Sequence, residues 1–278
     1  MGENTIQISP IPKVIHLFWF GKGKKSDLIL KCIESWKKFA PDYQIKEWTE
    51  DNFDVNFCKR SRQAYKEKKW AFVADIARLK VLHDEGGIYL DTDVELIRPL
   101  DDLMNYTSGS DTFFLFLNER FIGTGLGFGS VANSPVIRYL LNNYLHMDFE
   151  LKRGLFKRVC THIETEALED YYGNQFKRNN ENQVMDDGSI IVSTTIWTKY
   201  SIHHGTGTWE EGERDHDIGV KHTRLTDFKQ KVRNPEYFLW VRKHFGRKAE
   251  YVYEFLTYDL LDMGLLYFIK RLIKRMRR

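Results

Sequence analysis

Apolar and polar positions along this chain fall into blocks whose period changes from one to the next. Val14 to Phe20 (VIHLFWF) is an unbroken apolar and aromatic run closed by Gly21-Lys22-Gly23, the pattern of a strand buried on both faces. Leu28, Ile29, Cys32, Ile33 and Trp36 then recur at helical spacing, with Ser26 as N-cap and Pro41 as the stop. A short strand is predicted around Gln44–Trp48, and a helix near residues 56–68. A further helix, about 71–84, carries Phe72, Ile76 and Leu79 on one face and closes at Gly86-Gly87. The apolar run Ile88-Tyr89-Leu90 follows as a strand leading into Asp91-Thr92-Asp93, and Glu95 to Leu100 continues it. Phe113–Leu117 reads as another buried strand, and Ser134-Pro135 opens a helix through about Met147. Residues 150–190 read as helix and polar loop. Alternating strand and helix signals over the first hundred residues predict an α/β fold with a mainly parallel sheet.

Length and charge refine this picture. A chain of 278 residues has enough surface to bury one large core, with or without a smaller appended part. The formal charge of +3 is unevenly spread: residues 229–278 hold 13 Lys/Arg against 5 Asp/Glu, leaving the rest of the chain at −5. The expected division is therefore a catalytic part, 1–228, and a basic helical extension, 229–278. Cys32, Cys58 and Cys160 are odd in number and lack C-x-x-C spacing, which argues against a disulfide framework or zinc knuckle and for a reducing compartment. No signal-peptide pattern opens the chain, and no apolar run approaches the ~20 residues of a membrane span. A cytoplasmic location is expected.

The candidate chemistry centres on Asp91 and Asp93. Side chains two apart on an extended segment point the same way, and two carboxylates aimed at one spot repel unless a cation lies between them. Oxygen ligands with room for phosphate and water suit Mg²⁺ or Mn²⁺ bound with a nucleotide. Asp75 and Arg78, three apart, share a face of the preceding helix. They read as a surface ion pair of little worth, or as sugar- and phosphate-binding groups delivered to the metal motif. Asn118 and Glu119 read equally as sugar or acceptor contacts or as ordinary loop.

The string from Trp70 through Ala74, Asp75, Arg78, Leu82, Gly86-Gly87-Ile88-Tyr89-Leu90-Asp91, Asp93 and Glu95 to Pro99-Leu100-Asp101 resembles the signature of glycosyltransferase family 32. That family carries a DXD sugar-binding region and includes capsule and lipopolysaccharide sugar transferases and fungal mannosyltransferases. Clostridial-toxin glucosyltransferase domains are similar over the same stretch. The resemblance implies a GT-A type nucleotide-binding fold, to which the tail adds a helical C-terminal extension, and retention of anomeric configuration. It also implies that Ile11–His16 with Phe18–Gly21 is the opening strand, with Trp19 stacking on the base, although plain core remains an alternative for Trp19. His16 reads as a hydrogen-bonded core histidine. The segment Ser201-Ile202-His203-His204-Gly205-Thr206-Gly207-Thr208-Trp209 looks like the family's late His-His segment. Its implied roles are a third metal ligand, for which His204 is chosen over His203, and a phosphate hydrogen bond from Trp209. A histidine ligand favours Mn²⁺ over Mg²⁺. Cys160-Thr161-His162-Ile163-Glu164 stands where many members carry a Thr-Gly-Pro turn, in the region expected to shape the acceptor pocket.

The tail, with Leu261, Leu265, Phe268, Ile269, Leu272, Ile273 and Met276 at helical spacing among Lys and Arg, reads as a basic amphipathic helix. Such a helix lies on an anionic membrane surface, or docks on the core with its basic face solvated. The acidic main body does not support a nucleic-acid partner. The expected protein is a metal-dependent hexosyltransferase, peripheral on the inner face of the cytoplasmic membrane. It takes a nucleotide sugar, UDP-linked rather than GDP-mannose, and gives the sugar to a surface polysaccharide or lipid-linked glycan. The expected assignment is Asp75, Arg78 and Asp93 for catalysis, Trp19, Asp75, Arg78, Asp91, Asp93 and Trp209 for the donor, and Asp91, Asp93 and His204 for the metal. A nucleotide-sugar hydrolase, a toxin-like transferase acting on protein and a non-catalytic sugar-binding module are the alternatives.

Overall fold

A computed structural model describes residues 11–206, apart from 108, 148 and 150–158, together with 244. The chain divides into two units, and the described residues up to 206 lie in the first, 1–149 with 159–211. The expected boundary at 228, the basic tail and Trp209 lie outside the described residues.

Strand β1 (Val14–Phe18) leads to α1 (Asp27–Phe39), β2 (Gln44–Trp48), α2 (Lys59–Lys66) and α3 (Trp70–Glu85). Then come β3 (Gly87–Tyr89), β4 (Val94–Leu96), α4 (Leu100–Tyr106), β5 (Thr112–Leu115), β6 (Phe128–Ser130) and α5 (Pro135–Leu145). The described chain closes with α6 (Cys160–Tyr172), β7 (Gln183–Val184), β8 (Ile190–Val192), α7 (Thr194–Trp197) and β9 (Ser201–His203). Seven strands form one sheet in the order β2-β1-β3-β6-β5-β8-β7, and β4 pairs with β9 in a separate small sheet. In the large sheet β1, β2, β3, β5 and β8 run the same way, while β6 and β7 are reversed. This is a mixed α/β fold with a mainly parallel central sheet, as the alternating signals predict.

Local chemistry explains the boundaries. The Ser26 side chain accepts from the Ile29 amide and caps α1. Trp36, fully buried on that helix, donates from Nε1 to the Val94 carbonyl at 2.7 Å, tying α1 to β4. Truncating such a residue to Ala costs about 3–5 kcal/mol. Strand β5 stops at Leu115, short of the predicted Leu117. The chain turns there: Leu117 N–H donates to the Phe121 carbonyl, and Asn118 Oδ1 accepts from the amides of Arg120 and Phe121. Asn118 therefore acts as the cap of an ordinary loop turn. Helix α3 is enclosed on most sides, with Phe72, Ile76 and Leu79 all buried as expected.

His16 explains the glycine pair behind α3. It is wholly buried, and its Nδ1 accepts from Trp48 Nε1 at 3.0 Å. The proton therefore sits on Nε2, which donates to the Gly86 carbonyl at 2.9 Å. Burial pushes the His16 pKa down, keeping the ring neutral. A Cβ on Gly87, whose φ is +106°, would sit 2.7 Å from that Nε2. Glycine is needed here both for the backbone angle and for the close approach.

Candidate functional site

Parallel strands β1 and β3 deliver Trp19 and Asp91 to the same carboxyl edge of the sheet, the edge where open α/β sheets bind ligands. The Asp-Thr-Asp segment is a turn rather than the end of an extended strand. Strand β3 ends at Tyr89, and the Val94 amide donates to the Asp91 carbonyl at 3.0 Å, swinging the chain into the small sheet. The two carboxylates still converge. Asp91, Asp93 and His203 each offer a ligand atom, all within 4.8 Å of one another.

The third member of this group is His203 and not the expected His204. His203 stands opposite Val94 in the antiparallel β4–β9 register, with Nε2 3.3 Å from Asp93 Oδ1 and 4.0 Å from Asp91 Oδ2. His204 faces the other way, where its Nε2 lies 2.9 Å from Glu95 Oε2. Adjacent residues of a strand point to opposite faces, so register decides between them.

Each ligand group is held by neighbours. Thr206 donates to Asp93 Oδ2 from both its amide and its hydroxyl, each at 2.9 Å. Burial opposes ionisation of Asp93, but the bonds from His203 and Thr206 outweigh it and hold the pKa down at about 2. Burial likewise works against a charged His203 imidazole, yet Asp93 and Asp91 raise its pKa above the usual histidine value. Asp91 accepts from the Tyr89 hydroxyl through Oδ1 and is pushed up chiefly by burial. A Cβ at Gly125 would lie 2.4 Å from Asp91 Oδ2, so the carboxylate rests against bare backbone.

Arg78 connects this group to a second one. It is 2% exposed, with Nη2 3.0 Å from Asp75 Oδ1 and 3.1 Å from Glu164 Oε1, and Nη1 3.8 Å from Asp91 Oδ1. Asp75 and Arg78 are thus a buried pair beside the Asp-Thr-Asp turn, and the surface-pair reading falls. Burial raises the Asp75 pKa to about 6, with Arg78 pulling against it. Trp19 is half-buried at the end of β1, its Nε1 donating to the Gly23 carbonyl at 2.7 Å and the Lys25 ammonium 5.2 Å from a ring centroid. Asp75, Arg78, Asp91 and Asp93 are therefore brought together, while Trp19 stands on the same sheet edge.

Sequence reasoning missed Glu164, Tyr89 and Thr206 as site residues. The stretch Cys160–Glu164, expected to shape an acceptor pocket, is the first turn and a half of α6. The Cys160 thiol and the Glu164 carboxylate of that segment meet Asp75 and Arg78.

Residues 26–109 match the family described as the glycosyltransferase sugar-binding region containing DXD motif. The chain is 31% identical over 109 residues to inositol phosphoceramide mannosyltransferase 3 of Schizosaccharomyces pombe, covering 36% of this chain and 29% of that protein. It is 28% identical over 183 residues to the uncharacterized glycosyltransferase L373 of Acanthamoeba polyphaga mimivirus, covering 63% of this chain and 69% of the viral protein. Among solved structures, the PaToxG glycosyltransferase is similar at a TM-score of 0.45 and 21% identity, covering 58% of this chain and 70% of that one. Through residues 26–109, this chain is similar to glycosyltransferases that carry a DXD-containing sugar-binding region.

Proposed function

We propose that this protein is a metal-dependent, retaining hexosyltransferase that moves a sugar from a nucleotide donor to a surface polysaccharide or lipid-linked glycan. The convergence of Asp91, Asp93 and His203 within 4.8 Å carries this reading. Two carboxylates and one imidazole suit Mn²⁺ in particular, and Mg²⁺ less well.

Bound there, Mn²⁺ would neutralise charge on the departing nucleoside diphosphate, so that no acidic side chain need protonate the leaving group. Asp93, His203 and Asp91 would hold that cation. Asp75, gripped by Arg78, offers an acceptor to the hydroxyls of the donor sugar. Trp19 gives the base a flat apolar platform, and Trp209 donates to phosphate. The acceptor hydroxyl would then attack the anomeric carbon from the face that the diphosphate leaves as its C–O bond breaks, its proton passing to the departing diphosphate, giving retention without a covalent glycosyl-enzyme. A UDP-sugar is favoured over GDP-mannose, although one relative is named for mannosyl transfer to inositol phosphoceramide. That name also supports a lipid-linked acceptor. Among the described residues no helix is long and apolar enough to cross a membrane. The basic segment 229–278 is proposed to hold the enzyme on the anionic inner face of the cytoplasmic membrane. Truncation after Gly264 then abolishes partitioning onto anionic vesicles, and unchanged partitioning sinks that part of the proposal.

The test is nucleotide release from a panel of UDP- and GDP-sugars with Mn²⁺, with and without EDTA. EDTA-sensitive release from one donor supports the reading. Absence of both release and binding across the panel rejects it.

A further inference from the structure

Glu164 carries no role in the expected donor site, yet it is the most enclosed charge there. Cys160 and Glu164, four apart on α6, share a face that meets the face of α3 bearing Asp75 and Arg78. Glu164 is 0% exposed. Its Oε1 accepts from Arg78 Nη2 at 3.1 Å and from the Tyr144 hydroxyl at 3.0 Å, and its Oε2 accepts from the Thr124 hydroxyl. A carboxylate buried this deeply is tolerated because it is paired and fully hydrogen-bonded.

The arrangement around Arg78 is unbalanced. One guanidinium faces Asp75, Asp91 and Glu164 at 3.0, 3.8 and 3.1 Å. Burial opposes the Arg78 charge, and Glu164 is the strongest of the influences that overcome it. Without Glu164, that cation would bear on Asp91 and repel a divalent ion at the neighbouring site. With Glu164, the cation is cancelled from the protein side and its fork is pinned from α6. We infer that Glu164 is a positioning residue that fixes the Arg78 fork and cancels its charge, leaving Asp91 free to hold a divalent cation. This rests on the proposed cation site at Asp91, Asp93 and His203.

The experiment is Mn²⁺ affinity of the full chain, read from the free-ion electron paramagnetic resonance signal, with thermal melting alongside. Glu164→Gln keeps the shape and an acceptor for Arg78 but removes the charge, and its Mn²⁺ affinity should fall about tenfold. Tyr144→Phe and Thr124→Val lose hydrogen bonds but no charge, so they melt earlier while Mn²⁺ affinity stays within about twofold. The double variant Arg78→Met/Glu164→Gln removes both charges and should return to within about threefold of wild type, since buried pairs tolerate apolar replacement. Equal affinity in wild type and Glu164→Gln overturns the inference while leaving the cation site intact. So does a parallel loss in Tyr144→Phe and Thr124→Val, or a double variant bound less than a tenth as tightly as wild type. A wild-type chain that fails to bind Mn²⁺ overturns the cation site itself and the inference with it.

Discussion

Asp91 and Asp93 in the turn, and Asp75 and Glu164 on the packed helices, are four neighbouring carboxylates, three of them facing Arg78, and the fold satisfies them differently. Glu164 is wholly enclosed, with both oxygens accepting from Arg78, Tyr144 and Thr124. Asp91 keeps a third of its side chain exposed and lies against bare backbone at Gly125. The helical group is complete within the protein, because α3 supplies its cation and α5 and the turn at Thr124 supply its donors. The turn group gathers two carboxylates and a histidine, with Arg78 Nη1 3.8 Å from Asp91 Oδ1. On the proposed reading, the buried group positions and the turn group binds the cation.

The strongest way to break the comparison is Asp93→Ala. Nucleotide release should drop by more than about a thousandfold, while far-ultraviolet dichroism stays native, because a metal ion supplies several kcal/mol of transition-state stabilisation. Near-normal turnover would remove Asp93 from the metal site. On the buried side, Arg78→Ala strands Glu164 and should cost about 3–5 kcal/mol in urea unfolding. A loss below about 1 kcal/mol, the worth of an exposed pair, would mean the group is a surface feature.

The histidine choice sharpens the same contrast. His203→Ala should weaken Mn²⁺ at least as much as the loss of an outer partner, about ten- to hundredfold by calorimetric titration. His204→Ala breaks a half-exposed contact with Glu95, so it should change affinity by no more than about twofold. The reverse order would return the ligand role to His204.

The smallest effect is on pH. His16 is neutral in the fold with a lowered pKa, so the unfolded chain binds its proton first as pH falls. Its contribution to stability is present above the unfolded value, about 6.5, and is lost progressively below it. His16→Gln removes that slope, so the stability gap between wild type and variant should narrow from pH 7.5 to 5.5. A gap that widens on acidification would mean His16 is protonated in the fold.

Much of this was readable in the sequence, and for stated reasons. Ser26 announces α1, the run 44–48 marks β2, and the apolar positions of α3 place Asp75 and Arg78 together. What escaped depends on distant partners. A glutamate in the amphipathic α6 reads as solvated until α3 and α5 pack against it. The choice between His203 and His204 needs the β4–β9 register, which no local pattern supplies. Helix α4 begins where the expected segment from Glu95 ends, and Pro99 followed by Asp101 and Asp102 is its helix-start signal. The Asp91–Asp93 turn reads as the end of a strand in the sequence, because the apolar run before it hides where the main sheet ends.

The most direct test of the central claim is crystallographic: soak the protein with Mn²⁺ and a nucleoside diphosphate and collect anomalous diffraction at the manganese edge. A single peak bounded by Asp91, Asp93 and His203, with phosphate oxygens completing the sphere, is the expected result. A peak at His204 and Glu95, or none at the Asp91–Asp93 turn, would contradict it.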